Sequence, residues 1–105
     1  MAKLTYTKHS PGPWRIEVES CGTTTICTDD DLIAELPRSD PDNVNAANAR
    51  LISAAPEMLA ALIDAENAMF RALEDHKFDS PADSAAVIDT LVIVRAAIAK
   101  ATKGE

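Results

Sequence analysis

Pro37-Arg38-Ser39-Asp40-Pro41-Asp42-Asn43 decides the fold, because the period of the apolar residues changes across it. Upstream, Trp14, Ile16 and Val18 alternate with Arg15, Glu17 and Glu19, the period of two expected of a strand with one buried face. Ser20-Cys21-Gly22 reads as a turn, and the β-branched run Thr23-Thr24-Thr25-Ile26-Cys27-Thr28 suits a partner strand. Asp29-Asp30-Asp31 ends that run, and Leu32-Ile33-Ala34-Glu35-Leu36 reads as a third strand. The expectation is a meander of three or four antiparallel strands within residues 13–37. Its inner face needs a cover, since so small a sheet is marginal alone.

Downstream the period becomes helical. Asp42 or Asn43 is a candidate N-cap, and Ala46, Ala47, Ala49, Leu51 and Ile52 follow as a short helix. Pro56, after Ser53-Ala54-Ala55, starts a new helix or kinks the first one. Met58, Leu59, Leu62, Ile63, Met69, Phe70 and Leu73 then form an apolar stripe. Ser80-Pro81-Ala82-Asp83 has the signature of another helix start. Val87, Ile88, Leu91, Val92, Val94 and Ile98 make the last helix apolar over more than half its circumference. Helices are predicted over 43–55, 57–76 and 81–101. The fold class is α+β, a small antiparallel β-meander followed by a short helix and a long helical hairpin. One domain is expected over 1–105, with a β part at 1–37 and a helical part at 43–101.

Composition narrows the function classes. A formal charge of −7 on 105 residues argues against a nonspecific duplex-binding protein, which needs clustered Lys and Arg. Aromatic residues are only 4%, so the core rests on Ala, Leu, Ile and Val. An apolar surface as wide as that of the last helix predicts a homo-oligomer through the helical hairpin. Leu91-Val92-Ile93-Val94 is bounded by Asp89 and Arg95, so no membrane span and no membrane partner is expected. The start, Met1 to Tyr6, lacks the apolar core of a signal peptide, which predicts a cytosolic protein. Cys21 and Cys27 flank the first turn and could face each other across a hairpin, with reduced thiols in the cytosol.

Catalytic signatures are poor. Gly12, Gly22 and Gly104 make no phosphate loop, and His9 and His76 lack zinc spacing. Asp29-Asp30-Asp31 could hold a divalent cation, but an acidic turn is ordinarily solvated. No cofactor, metal or enzymatic activity is therefore expected. Binding has better candidates. Trp14 is either core or a stacking platform for a base. Arg50, supported by Asn48 and Asn43, could grip a phosphate or carboxylate near the start of the first helix. The plain alternative is a solvated arginine paired with Glu57 or Asp42.

Two motifs carry a resemblance. His9-Ser10-Pro11-Gly12-Pro13-Trp14, then Asn48-Ala49-Arg50-Leu51-Ile52-Ser53-Ala54-Ala55-Pro56-Glu57-Met58-Leu59, resemble a family of small phage and prophage proteins with these elements in this order. The resemblance implies a phage product in the host cytoplasm. In size and element order the chain is also similar to the Thoeris anti-defence sponges, non-enzymatic oligomers that sequester cyclic ADP-ribose-type signals. That likeness implies a cyclic nucleotide or ADP-ribose-type ligand. Three readings follow: a sponge for a nucleotide-derived immune signal, an acidic protein–protein inhibitor of a host or defence enzyme, and a structural or regulatory accessory.

Overall fold

The computed structural model describes residues 9–75, 78 and 80–103, so the predicted end of the second helix at residue 76 lies outside the described residues. Three strands, β1 (Arg15–Val18), β2 (Thr24–Cys27) and β3 (Leu32–Glu35), precede α1 (Asn45–Ser53), α2 (Ala55–Glu74) and α3 (Pro81–Lys103). The α+β expectation holds. The chain forms two compact units, Met1–Met58 and Leu59–Glu105. The division falls inside α2 rather than at the change of period near Pro37, so α1 belongs with the sheet.

The sheet is an antiparallel meander with β2 at its centre. Ile16 pairs with Ile26, and Ile26 with Ala34, so these apolar residues form one row across the inner face. Arg15–Cys27 and the row Glu17–Thr25–Glu35 occupy the outer face. Between Ile26 and Cys27 the register with β3 slips, because Ala34 opposes Ile26 while Leu32 opposes Cys27. Ile33 is the extra residue of this β-bulge. Strict alternation would have put Ile33 and Glu35 on one face. The bulge instead lets Ile33 and Ala34 both pack on the core and returns Leu32 and Glu35 to solvent.

The core of this first unit is small. Ile26, Leu36 and Ala49 are buried, and Trp14, Ile33, Ala34 and Ile52 pack against them half-buried. Ala49 supplies the α1 face that rests on the sheet, and its small side chain permits close approach. The expected burial of β1 fails, for all four of its residues are exposed and Val18 is 70% accessible. α1 packs on β1 and β2, but its nine residues span only about 13 Å and leave the β1 side chains exposed.

Capping also departs from the expectation. The residue preceding α1 is Val44, which makes no side-chain cap. Asp40 does the work from further back: the Val44 and Asn45 amides donate to its two carboxylate oxygens at 2.8 and 3.1 Å. Asn43, one of the predicted caps, is a turn residue with φ 59°, its amide donating to the Asp40 carbonyl at 3.1 Å. Asparagine tolerates this left-handed backbone better than most residues. Asp40-Pro41 is a turn-initiating pair, and the turn swings the carboxylate under the helix start.

Pro56 starts a helix as predicted: α2 begins at Ala55, and the missing proline amide costs nothing in a first turn. In the second unit, the Asp83 amide donates to the Ser80 hydroxyl at 3.2 Å, the expected N-terminal cap of α3. Arg95 of α3 reaches back to α2, donating to Glu66 at 3.0 Å and lying 5.5 Å from the centre of the Phe70 ring. It therefore has intrachain partners on both counts. No helix among the described residues is long and apolar enough to cross a membrane.

Candidate functional site

The outer sheet face carries an open groove of about 530 Å³. Strand alternation builds it. Arg15, Glu17 and Glu19 come from β1 and its continuation, Thr23, Thr25 and Cys27 from β2 and its start, and Glu35 from β3. The Asp29-Asp30-Asp31 turn closes one end. A second hollow of about 250 Å³ shares Arg15 and the three aspartates with the groove and is completed by Ser10, Pro11, Gly12 and Pro13.

Charge is the dominant property of this face. Six carboxylates stand against one guanidinium, a formal −5 out of the whole chain's −7. Arg15 is already committed, donating to Glu17 at 2.9 Å and to Asp29 at 2.7 Å. Its pKa is raised by those two hydrogen bonds, Glu17 first and then Asp29. Glu19, Asp30, Asp31 and Glu35 have no ion-pair partner among the described residues. The acidic turn is held by its backbone, since the Asp30 and Asp31 amides both donate to the Thr28 hydroxyl, at 3.1 and 2.9 Å. The Asp30 and Asp31 carboxylates are therefore left to solvent, while Asp29 holds Arg15. No group of three or more His, Cys, Asp or Glu side chains among the described residues is gathered to hold a metal.

The two thiols do not face each other. Cys27 opposes Arg15, while Cys21 sits in the turn, and both are free. The Cys21 thiol lies 3.3 Å from the Thr23 hydroxyl, and a hydroxyl donating to the thiolate holds its pKa below the ordinary value. Desolvation, helped by the charge of Glu17, pushes Cys27 the other way.

The residues proposed from sequence for an anionic ligand are placed differently. Arg50 is exposed in the last turn of α1, not at its start. Asn48 and Arg50 are both exposed on either side of the buried Ala49, which puts them roughly 160° apart around the helix. Asn43 stands in the turn before the helix, whose first amides already bind the Asp40 carboxylate. Trp14 is half-buried, packed on the core and donating its ring N–H to the Ser10 carbonyl at 3.0 Å. The four do not converge on one pocket. No acid pairs with Arg50 among the described residues, so the surface bridge to Glu57 or Asp42 is not made either.

What the sequence reading passed over is the acidic groove. Its signal was present in the odd-numbered residues from Arg15 to Glu19 and in Glu35, which read as an ordinary solvated strand face.

The two sequence motifs meet in the structure. A Cβ at Gly12 would come within 3.0 Å of the Pro56 Cβ and 3.4 Å of its Cγ, so the head is pressed against the first turn of α2. A methyl there would require a shift of a few tenths of an ångström, which a rigid proline ring gives less readily than a flexible side chain. Gly12→Ala is expected to lower stability by about 1–2 kcal/mol through overpacking. Calorimetric melting measures this, and Gly22→Ala is no equivalent control, because Gly22 has open space around it and φ 93°.

The model of the family described as Salmonella phage P22 protein Y8K6 matches residues 1–105, and the chain belongs to that family. No curated protein and no solved structure matches it.

Proposed function

We propose that this phage protein is a non-enzymatic binding protein whose acidic sheet face engages a basic protein surface, as an inhibitor of a host or defence enzyme in the host cytoplasm. The observation that carries the reading is the groove: six carboxylates from one sheet face and the turn that closes it, with the groove's one arginine held by two of them. Such a field repels a nucleotide and attracts Lys and Arg side chains, and it raises the rate of encounter with a cationic partner. The same protein is read as a homo-oligomer through its helical hairpin.

Sequestration of a nucleotide-derived immune signal is the second reading. What favours it is Arg50, a guanidinium exposed on α1 with no carboxylate partner among the described residues. What weighs against it is the spread of Asn48, Asn43 and Trp14 around other faces.

Native mass spectrometry separates the two. Purified protein is offered host protein extract and, separately, a cytosolic nucleotide extract. A protein adduct that dissociates as salt rises from about 0.1 M to about 1 M supports the first reading, since screening shortens the field to roughly 3 Å. A nucleotide mass bound by the wild type and lost in Arg50→Ala supports the second. Absence of both adducts overturns both.

A further inference from the structure

α3 buries one apolar stripe and leaves further large apolar residues exposed among the described residues. Leu91, Val94 and Ile98 are its buried residues, spaced by three and four as one helical stripe requires. Val92 and Ile93 are 63% and 69% accessible, and Ile88 is also exposed. Directly opposite the buried stripe run Asp89, Ile93, Ala96 and Lys100, all exposed and again spaced by four, three and four. Ala85, Ala86 and Ala97 flank them with little more than a methyl each. Large apolar side chains left exposed beyond the buried stripe are the mark of a surface that a partner covers.

We infer that this second face of α3 pairs with α3 of another copy of the chain, antiparallel about a two-fold axis at the level of Val94 and Arg95. The charge pattern identifies the occupant. In that register Asp89 of each copy lies opposite Lys100 of the other, and Ile93 lies opposite Ala96, large against small. Two-fold symmetry makes each contact twice, because residue i meeting j implies j meeting i. A parallel pairing would set Asp89 on Asp89 and Lys100 on Lys100, so the same charges select against it. A stripe that is self-complementary under reversal is what a second copy needs and what an unrelated partner has no use for. The inference deepens the self-association in the proposed function by fixing its surface and register, and it is independent of the acidic groove.

Sedimentation velocity of the full chain over a concentration series tests it. The wild type is expected to dimerise. Ile93→Asp should weaken dimerisation by about a hundredfold, as removal of a central apolar anchor does. Asp89→Lys alone, and Lys100→Asp alone, should each weaken it about tenfold by placing like charges opposite each other. The double variant carrying both changes should recover to near wild-type affinity, which no merely structural effect produces. All four positions tested or paired are exposed, so melting temperatures should stay close to wild type. A wild type that remains monomeric at roughly 0.1 mM, a concentration that reveals even weak association, overturns self-association itself. A dimer indifferent to Ile93→Asp overturns this surface. A dimer lost in both single variants and not restored in the double overturns the register.

Discussion

Ile26→Ala is expected to lower the stability of the first unit by about 3 kcal/mol, within the range for truncating a fully buried branched side chain. Ile26 has no accessible surface and sits on the central strand, with Ile16 on one side and Ala34 on the other. Its neighbours cannot close the gap: Ala49 is already minimal, and Trp14 is tethered through its ring N–H to Ser10. A domain of this size has only about 5–15 kcal/mol in total, so the loss should lower the melting temperature by more than 10 °C. Val18→Ala is the matched control. Val18 lies on the same sheet face yet is 70% accessible, and its truncation should cost under about 0.5 kcal/mol. Equal losses at the two positions, read by thermal or urea unfolding, would show that β1 is covered after all.

The contrast between those two residues marks how far the sequence could be read. The alternation puts Ile16 and Val18 on one face, and the pairing of Ile16 with Ile26 puts Ile26 on the same one. Alternation cannot say how far the cover extends. α1 touches β1 as well as β2, yet it buries Ile26 fully and leaves the β1 residues exposed. The helix limits were legible because Pro56 and Ser80-Pro81 punctuate locally, through backbone chemistry that needs no tertiary partner. The cap was not, since Asp40 reaches past three residues and only the turn at Asn43 brings it home. The bulge at Ile33 was likewise silent. It is forced by the need to bury both Ile33 and Ala34, a demand of packing and not of local propensity. For the site, Arg50 and Asn48 are close in sequence, but residues two apart on a helix point to different sides. The acidic groove needed three strands in register before Glu17, Glu35 and the Asp29–Asp31 turn could be seen as one surface.

Neutralising that surface should change binding more than any other set of substitutions. In the variant Glu19→Gln, Asp30→Asn, Asp31→Asn, Glu35→Gln, the four carboxylates without an ion-pair partner among the described residues are removed. Arg15 keeps both of its own, Glu17 and Asp29. The fold has no reason to fail. All four positions are exposed, and the turn is secured by the Asp30 and Asp31 amides on the Thr28 hydroxyl, whichever side chains those residues carry. Stability should hold or rise slightly, because like charges crowded on one face repel each other. The probe is a short oligolysine peptide, followed by stopped-flow fluorescence with Trp14 as the reporter. Wild type should associate with a rate that falls steeply as salt rises, since the attraction acts over a screening distance of roughly 10 Å at 0.1 M. The variant should lose most of that salt dependence, with association slower by about tenfold or more at low salt. An oligoglutamate peptide should bind neither protein. If the neutralised variant binds oligolysine as fast as wild type, the groove is a solvated strand face and the basic-partner reading falls with it. If only the rate falls while the salt dependence persists, the attraction resides in the remaining acids of the chain instead of this groove.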